Sequence, residues 1–138
     1  MIVAEQEPKY WSKSDFILQE ETGSIIGLCM EIHNYLGKGF SEIVYKDAFE
    51  YECRLHKLPF VREKKYEVQY KDIILPHHFY ADFVLFEKII VAIKAQSGIA
   101  NEQQAQIINY LAVSGCPVGL LINFGENSLR FNRFALTK

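Results

Sequence analysis

An α/β fold, with a mixed central β-sheet flanked by helices, is predicted by three features of this sequence. Apolar residues recur at helical spacing through the first third of the chain, and the period changes to strand-like alternation after Pro59. A third helical stretch then leads into Val118–Phe124, a near-continuous apolar run of the kind found in strands covered on both faces. A chain of 138 residues is long enough for one core, burying about two-thirds of the surface its unfolded form exposes. Hydrophobic residues at 49% and charged residues at 23% exclude disorder and coiled coil.

Residues 1–19 show no sustained period and read as an N-terminal arm, with a single domain from 20 to 138. Ile25, Leu28, Cys29, Ile32 and Leu36 predict a helix over 22–36, which Gly37-Lys38-Gly39 ends because glycine accepts left-handed backbone. Ser41 is placed to cap a second helix reaching to about Lys57, and Leu58-Pro59 stops it. Tyr66, Val68 and Tyr70 alternate as in a half-buried strand before a turn at Lys71-Asp72. His78–Phe86 and Ile89–Ala95 follow as two strands joined tightly around Glu87-Lys88. Asn101 is read as the cap of a helix with Ile107, Ile108, Leu111 and Ala112 on one stripe, ended by Gly115-Cys116-Pro117. Leu129–Phe134 is the last strand. The predicted order is α-α-β-β-β-α-β-β.

Fifteen Lys+Arg against seventeen Asp+Glu give a net charge of -2. Proteins that hold nucleic acid through bulk charge carry a basic excess, so any such contact here must come from a local patch or a metal. The three cysteines, Cys29, Cys53 and Cys116, form no CxxC pair, which argues against a zinc site or a disulfide framework. The acidic start MIVAEQEPKYW lacks the features of a signal peptide, and no stretch approaches the ~20 apolar residues of a membrane span. The cytoplasm is the expected location, without a membrane partner.

Lys94 stands in the otherwise apolar strand IIVAIKA, so it either pairs with a carboxylate such as Asp82 or reaches solvent at the strand end. Facing residues of a hairpin sit ~5 Å apart, and residues 92 and 94 share a face. Glu42 falls in the first turn of the second helix, where the dipole alone favours a carboxylate, and Tyr45 lies three residues on. Gln106 shares a face with Tyr110 and Val113 rather than with outward charges, which points it towards a cleft. His77 and His78 face opposite ways and do not read as a metal pair. Arg62, Lys64, Lys65, Arg130 and Arg133 are interspersed with Glu63 and Asn132, as on a solvated face.

Together, Gly39-Phe40-Ser41-Glu42-Ile43-Val44-Tyr45, the run IIGLCMEIHNYLGKGFSEIVY, Tyr80-Ala81-Asp82-Phe83, IIVAIKA, AQIINYL and GLLINFG resemble the GxxExxY protein family, over roughly residues 20–136. That family belongs to the PD-(D/E)XK nuclease-like superfamily. The resemblance implies a restriction-endonuclease-like core in α-β-β-β-α-β order with an extra N-terminal helix. It also implies a site built from Glu42, Asp82, Lys94 and Gln106, with Tyr45 lining the cleft. Carboxylates of Glu42 and Asp82, with the Ile93 carbonyl, would hold Mg²⁺ or Mn²⁺ for phosphodiester hydrolysis of nucleic acid, and Lys94 would position water or offset charge on the phosphate.

One position departs from the pattern. Where the superfamily carries an acid two residues before the lysine, this chain has Ala92. Its loss removes a ligand and a negative charge, so metal binding is expected to be weak or absent and hydrolysis weakened or lost. The alternative is a non-catalytic nucleic-acid- or protein-binding module. Three expectations follow for the structure. Asp82 should face Ala92, which requires a Phe86-Glu87-Lys88 loop with Leu85 opposite Ile89. Glu42, Tyr45 and Gln106 should approach that cluster. Lys94 should pair with Asp82 or Glu42 where the metal would sit.

Overall fold

The computed structural model describes Ile2–Glu5 and residues 18–136. Among the described residues three helices, α1 (Gln19–Leu36), α2 (Glu42–Leu55) and α3 (Asn101–Ser114), flank a six-stranded mixed sheet. The strands are β1 (Ile2–Glu5), β2 (Phe60–Tyr70), β3 (Ile73–Leu85), β4 (Ile89–Lys94), β5 (Val118–Asn123) and β6 (Arg130–Leu136), in the spatial order β1-β6-β5-β4-β3-β2. The α/β class and the mixed sheet are those expected from the sequence.

Two differences concern extent. Within the 1–19 arm, Ile2–Glu5 is a strand, antiparallel to β6 with Ile2 opposite Leu136. A four-residue edge strand is too short to leave a period in the sequence. Residues 6–17 of the arm lie outside the described residues. β3 begins at Ile73 rather than His78, because the hairpin pairs almost to its Lys71-Asp72 tip, where Tyr70 faces Ile73. Pro76 is tolerated there: among the described residues this part of β3 pairs with β2 alone, and β3 meets β4 much later.

β4 and β5 run parallel, from Ile89 opposite Val118 to Lys94 opposite Asn123, with α3 as the crossover. Both strands are buried along nearly their whole length, because each sheet face is covered. On one face Ile25, Cys29 and Ile32 of α1 and Tyr45, Phe49 and Cys53 of α2 pack on Phe83, Leu85, Val91, Ile93 and Leu120. On the other, Ile107 and Leu111 of α3 pack on Ala81, Val84, Ile90, Ala92 and Leu121.

The loop into α2 is set by glycine. Gly37 (φ 70°) and Gly39 (φ 113°) take backbone that side chains rarely adopt. Ser41 occupies the N-cap position in extended conformation, but its hydroxyl makes no cap bond. At α3 the helix starts at Asn101 itself. The N-cap residue is Ala100, whose N–H donates to the Gln103 side chain at 2.8 Å. Gln103 is therefore a helix-end partner rather than a free surface amide.

Candidate active site

The site forms where β3 parts from β4. Their ladder joins Leu85 to Ile89, Val84 to Ile90 and Phe83 to Val91, with Phe86-Glu87-Lys88 as the loop. Phe86 (φ 55°) and Glu87 (φ 62°) both take left-handed backbone to make this turn. The register is the one that puts Asp82 opposite Ala92, but β3 makes no further ladder pair with β4. Instead the Asp82 carboxylate bridges the opening: Ile93 N–H donates to its Oδ2 at 2.9 Å.

Strict alternation fails at Asp82. Phe83 and Leu85 face α1 and α2, whereas Phe79 and Ala81, of the same parity, face α3. The partner strand turns over at the same level. Arg62 pairs with Asp47 and Glu50 of α2, while Tyr66 lies against Cys116 on the opposite face. Glu63 between them has φ 55°, left-handed backbone uncommon in a strand. Asp82 thus sits at a roll-over point and is felt on both faces. It pairs with Lys46 of α2, and its charge adds to burial in raising the Tyr110 phenol on α3.

Glu42 reaches the same opening from the first turn of α2. Its Oε2 lies 2.9 Å from Lys46 Nζ, which is 3.1 Å from Asp82 Oδ1. Lys46 and Asp82 are largely covered, their side chains 12% and 16% exposed, and Glu42 is 40% exposed. The two carboxylates raise the Lys46 ammonium above its usual value despite the opposing effect of burial, the largest single influence.

The cation between the acids is therefore Lys46, not Lys94. Among the described residues Lys94 makes no ion pair within 4.0 Å. Side chains alternate along β4, and Ile90 and Ala92 belong to the α3 face, so Lys94 leaves the strand on that face. It is half-buried at the strand end. Lys46 was legible as the i+4 neighbour of Glu42, a spacing that pairs opposite charges on any helix.

Tyr45 does not line this opening. It is fully buried, stacked on Phe124 with centroids 4.6 Å apart. Its hydroxyl donates to the Gly37 carbonyl and accepts the Phe40 N–H, holding the glycine turn closed. Tyr45 lies to one side of Glu42 on the helix and Lys46 to the other, and only the Lys46 side meets Asp82. Gln106 is exposed on α3, one turn from Tyr110, whose ring stacks on Phe79 at 3.9 Å. Burial and the Asp82 charge raise the Tyr110 phenol, and the Gln106 side chain opposes that rise. Gln106 thus lies on the α3 side of the opening without bonding Asp82 or Lys94.

The far end of β4 is clamped to β5. Asn123, 1% exposed, accepts the Gln96 N–H at 3.1 Å and donates to the Gln96 carbonyl at 2.9 Å. The same amide accepts Gly125 N–H and donates to Glu126 Oε2. Phe124 N–H donates to the Lys94 carbonyl at 2.8 Å. These bonds fix the segment on which Lys94 sits, and the sequence reading gave Asn123 no role.

The chain matches the family described as the PD-(D/E)XK nuclease superfamily over residues 19–134. It belongs to that superfamily. No curated protein and no solved structure matches it. Among the described residues no helix is long and apolar enough to cross a membrane.

Nucleases of the superfamily typically use divalent metals. The donors present here are the Glu42 and Asp82 carboxylates and the Ile93 carbonyl, which shares its N–H's side of the strand and so faces the opening. They do not fit such an ion as they stand. Lys46 Nζ occupies the space between the two carboxylates, the second Asp82 oxygen is held by Ile93 N–H, and Ala92 offers no ligand. A separate group, Glu31, Glu52 and His56, brings its ligand atoms within 4.8 Å of one another. It lies at the other end of α2, about 15 Å along the helix from Glu42.

Proposed function

We propose that this chain is a GxxExxY-type nuclease-like domain, spanning 20–138, that binds nucleic acid in the cytoplasm and has lost metal-dependent phosphodiester hydrolysis. The observation that carries the reading is the opening between β3 and β4. Glu42 and Asp82 converge there as in a hydrolytic site, while the third acid is replaced by Ala92, packed among Ile90, Ile107 and Leu121. Without that acid the site lacks the negative charge to hold a divalent ion against two lysines. Lys94, without a carboxylate partner, is the group best placed to meet a phosphodiester, with exposed Gln106 on the same side of the sheet. The net charge of -2 confines this contact to a local site and predicts modest affinity.

The test uses labelled single- and double-stranded DNA and RNA. Fluorescence anisotropy in chelator should show binding that weakens as salt rises from about 50 to about 200 mM. Gels in Mg²⁺ and Mn²⁺ should show no cleavage. Metal-dependent cleavage abolished by Asp82→Asn would restore the hydrolytic reading. Failure to bind any nucleic acid at low salt would leave a protein-binding module in its place.

A further inference from the structure

We infer that Lys46 is a tethered cation that takes the place of the divalent ion, so that this site is closed electrostatically by the chain itself. Glu42 and Asp82, each −1, meet Lys46, +1, at the opening, and Lys94, +1, stands at the end of β4 on the α3 side; the four charges sum to zero. An acid at position 92 in place of Ala92, with no lysine at 46, would leave three negative charges against one positive and require a doubly charged ion. Ala92 and Lys46 are thus complementary: each substitution alone leaves the site unbalanced by one charge, and the two together balance it.

Geometry supports the same conclusion. Lys46 Nζ lies 2.9 Å from Glu42 Oε2 and 3.1 Å from Asp82 Oδ1, ordinary ammonium–carboxylate distances. The side chain is only 12% exposed, so this is a held position rather than a surface excursion. It is delivered by a rigid element: Phe49 and Cys53 anchor α2 in the core, and Glu42 and Lys46 lie one turn apart on it. An ammonium needs ~3 Å to each oxygen where Mg²⁺ needs about 2.0–2.1 Å and an octahedral shell. A divalent ion can enter only by expelling Lys46, and expulsion would bring a third positive charge to an opening that has only two carboxylates.

Ala92→Glu alone therefore does not recreate a metal site, because Lys46 still occupies the space between Glu42 and Asp82. Both changes are needed. The experiment measures Mn²⁺ alone, with no nucleic acid, so its result is independent of the binding reading above. Four full-length proteins are compared by calorimetric titration and by melting in chelator and in Mn²⁺: wild type, Ala92→Glu, Lys46→Met and Ala92→Glu/Lys46→Met. Wild type should show no saturable Mn²⁺ binding and no metal-dependent rise in Tm. The double variant should bind one Mn²⁺ at least roughly tenfold tighter than either single variant, and its Tm should rise on metal addition.

Lys46→Met leaves two carboxylates facing each other and could fail to fold in chelator. Refolding the double variant in Mn²⁺ resolves this: recovery supports the inference, and failure of the double variant to recover with any divalent ion overturns it. A measurement on wild type needs no variant. Mn²⁺ should not selectively broaden the amide resonances of residues 42, 82 and 93. Selective broadening there, or wild-type Mn²⁺ affinity equal to that of the double variant, would show that Lys46 does not bar the ion.

Discussion

Gly125→Ala should be among the most damaging single-methyl changes available in this protein, and the reason is local. A Cβ at Gly125 would lie 2.2 Å from Gln96 N, 2.3 Å from Gln96 O and 2.6 Å from Gln96 C. Carbon contacts are comfortable near 3.5 Å, so the overlap is about 1 Å against backbone, which has no rotamer to change. Gln96 is held by two bonds to the Asn123 amide, and the neighbouring Lys94 carbonyl is held by Phe124 N–H. Admitting the methyl requires breaking these three bonds, and with Asn123 buried the cost is about 3–4 kcal/mol. Gly119→Ala supplies the control. Its Cβ would meet Ile107 and Leu111 side-chain atoms at 3.1–3.2 Å, and those can shift, so the cost should be about 1 kcal/mol. Urea unfolding followed by far-UV circular dichroism measures both. Equal midpoints for the two variants would refute the reasoning and remove the Asn123 clamp as the fixture of the Lys94 segment.

Two further outcomes follow. Tyr45→Phe should cost about 1–2 kcal/mol in denaturant unfolding, because the Gly37 carbonyl and Phe40 N–H lose a shared hydroxyl, while nucleic-acid affinity stays unchanged; a loss of affinity would return Tyr45 to the cleft. Burial, with Glu50 and Glu52 nearby, pushes the Cys53 thiol from 9.0 up to about 12, so the folded state holds that proton more tightly than the unfolded chain. The associated stability is fully present below pH ~9 and is lost as pH climbs towards 12; wild type should lose stability over that window more steeply than Cys53→Ala, and parallel curves would contradict it.

The register of the β3–β4 hairpin was legible because two apolar strands and their loop admit few pairings once both faces must be buried. So was the convergence of Glu42 with Asp82, through the motif residues that carry the resemblance. Lys46 was missed for a different reason. Its spacing from Glu42 is visible, but every exposed helix offers such pairs, and only the fold shows that this one closes over Asp82. Tyr45 was misplaced because a motif names a residue without saying whether it serves the site or the turn beside it. The roll-over at Glu63 and Asp82 could not be read at all: it needs Glu63 in left-handed backbone, a conformation no local residue preference announces.

That roll-over has a mechanical consequence. At the root of the hairpin Phe60, Arg62, Phe83 and Leu85 face α1 and α2 while Val84 faces α3; in its outer half Tyr66, Phe79 and Ala81, of the same parity as those four in their strands, face α3 instead. One continuous pair of strands therefore turns its side chains over from one side of the sheet to the other, like a strap twisted through a buckle. Neither layer can loosen without pulling on a strand that the other holds, and this couples two separate apolar clusters into a single cooperative unit. The acid at the crossing point, Asp82, is fastened on one oxygen by Lys46 and on the other by Ile93 N–H, so the unit that melts as one also holds its carboxylate in place.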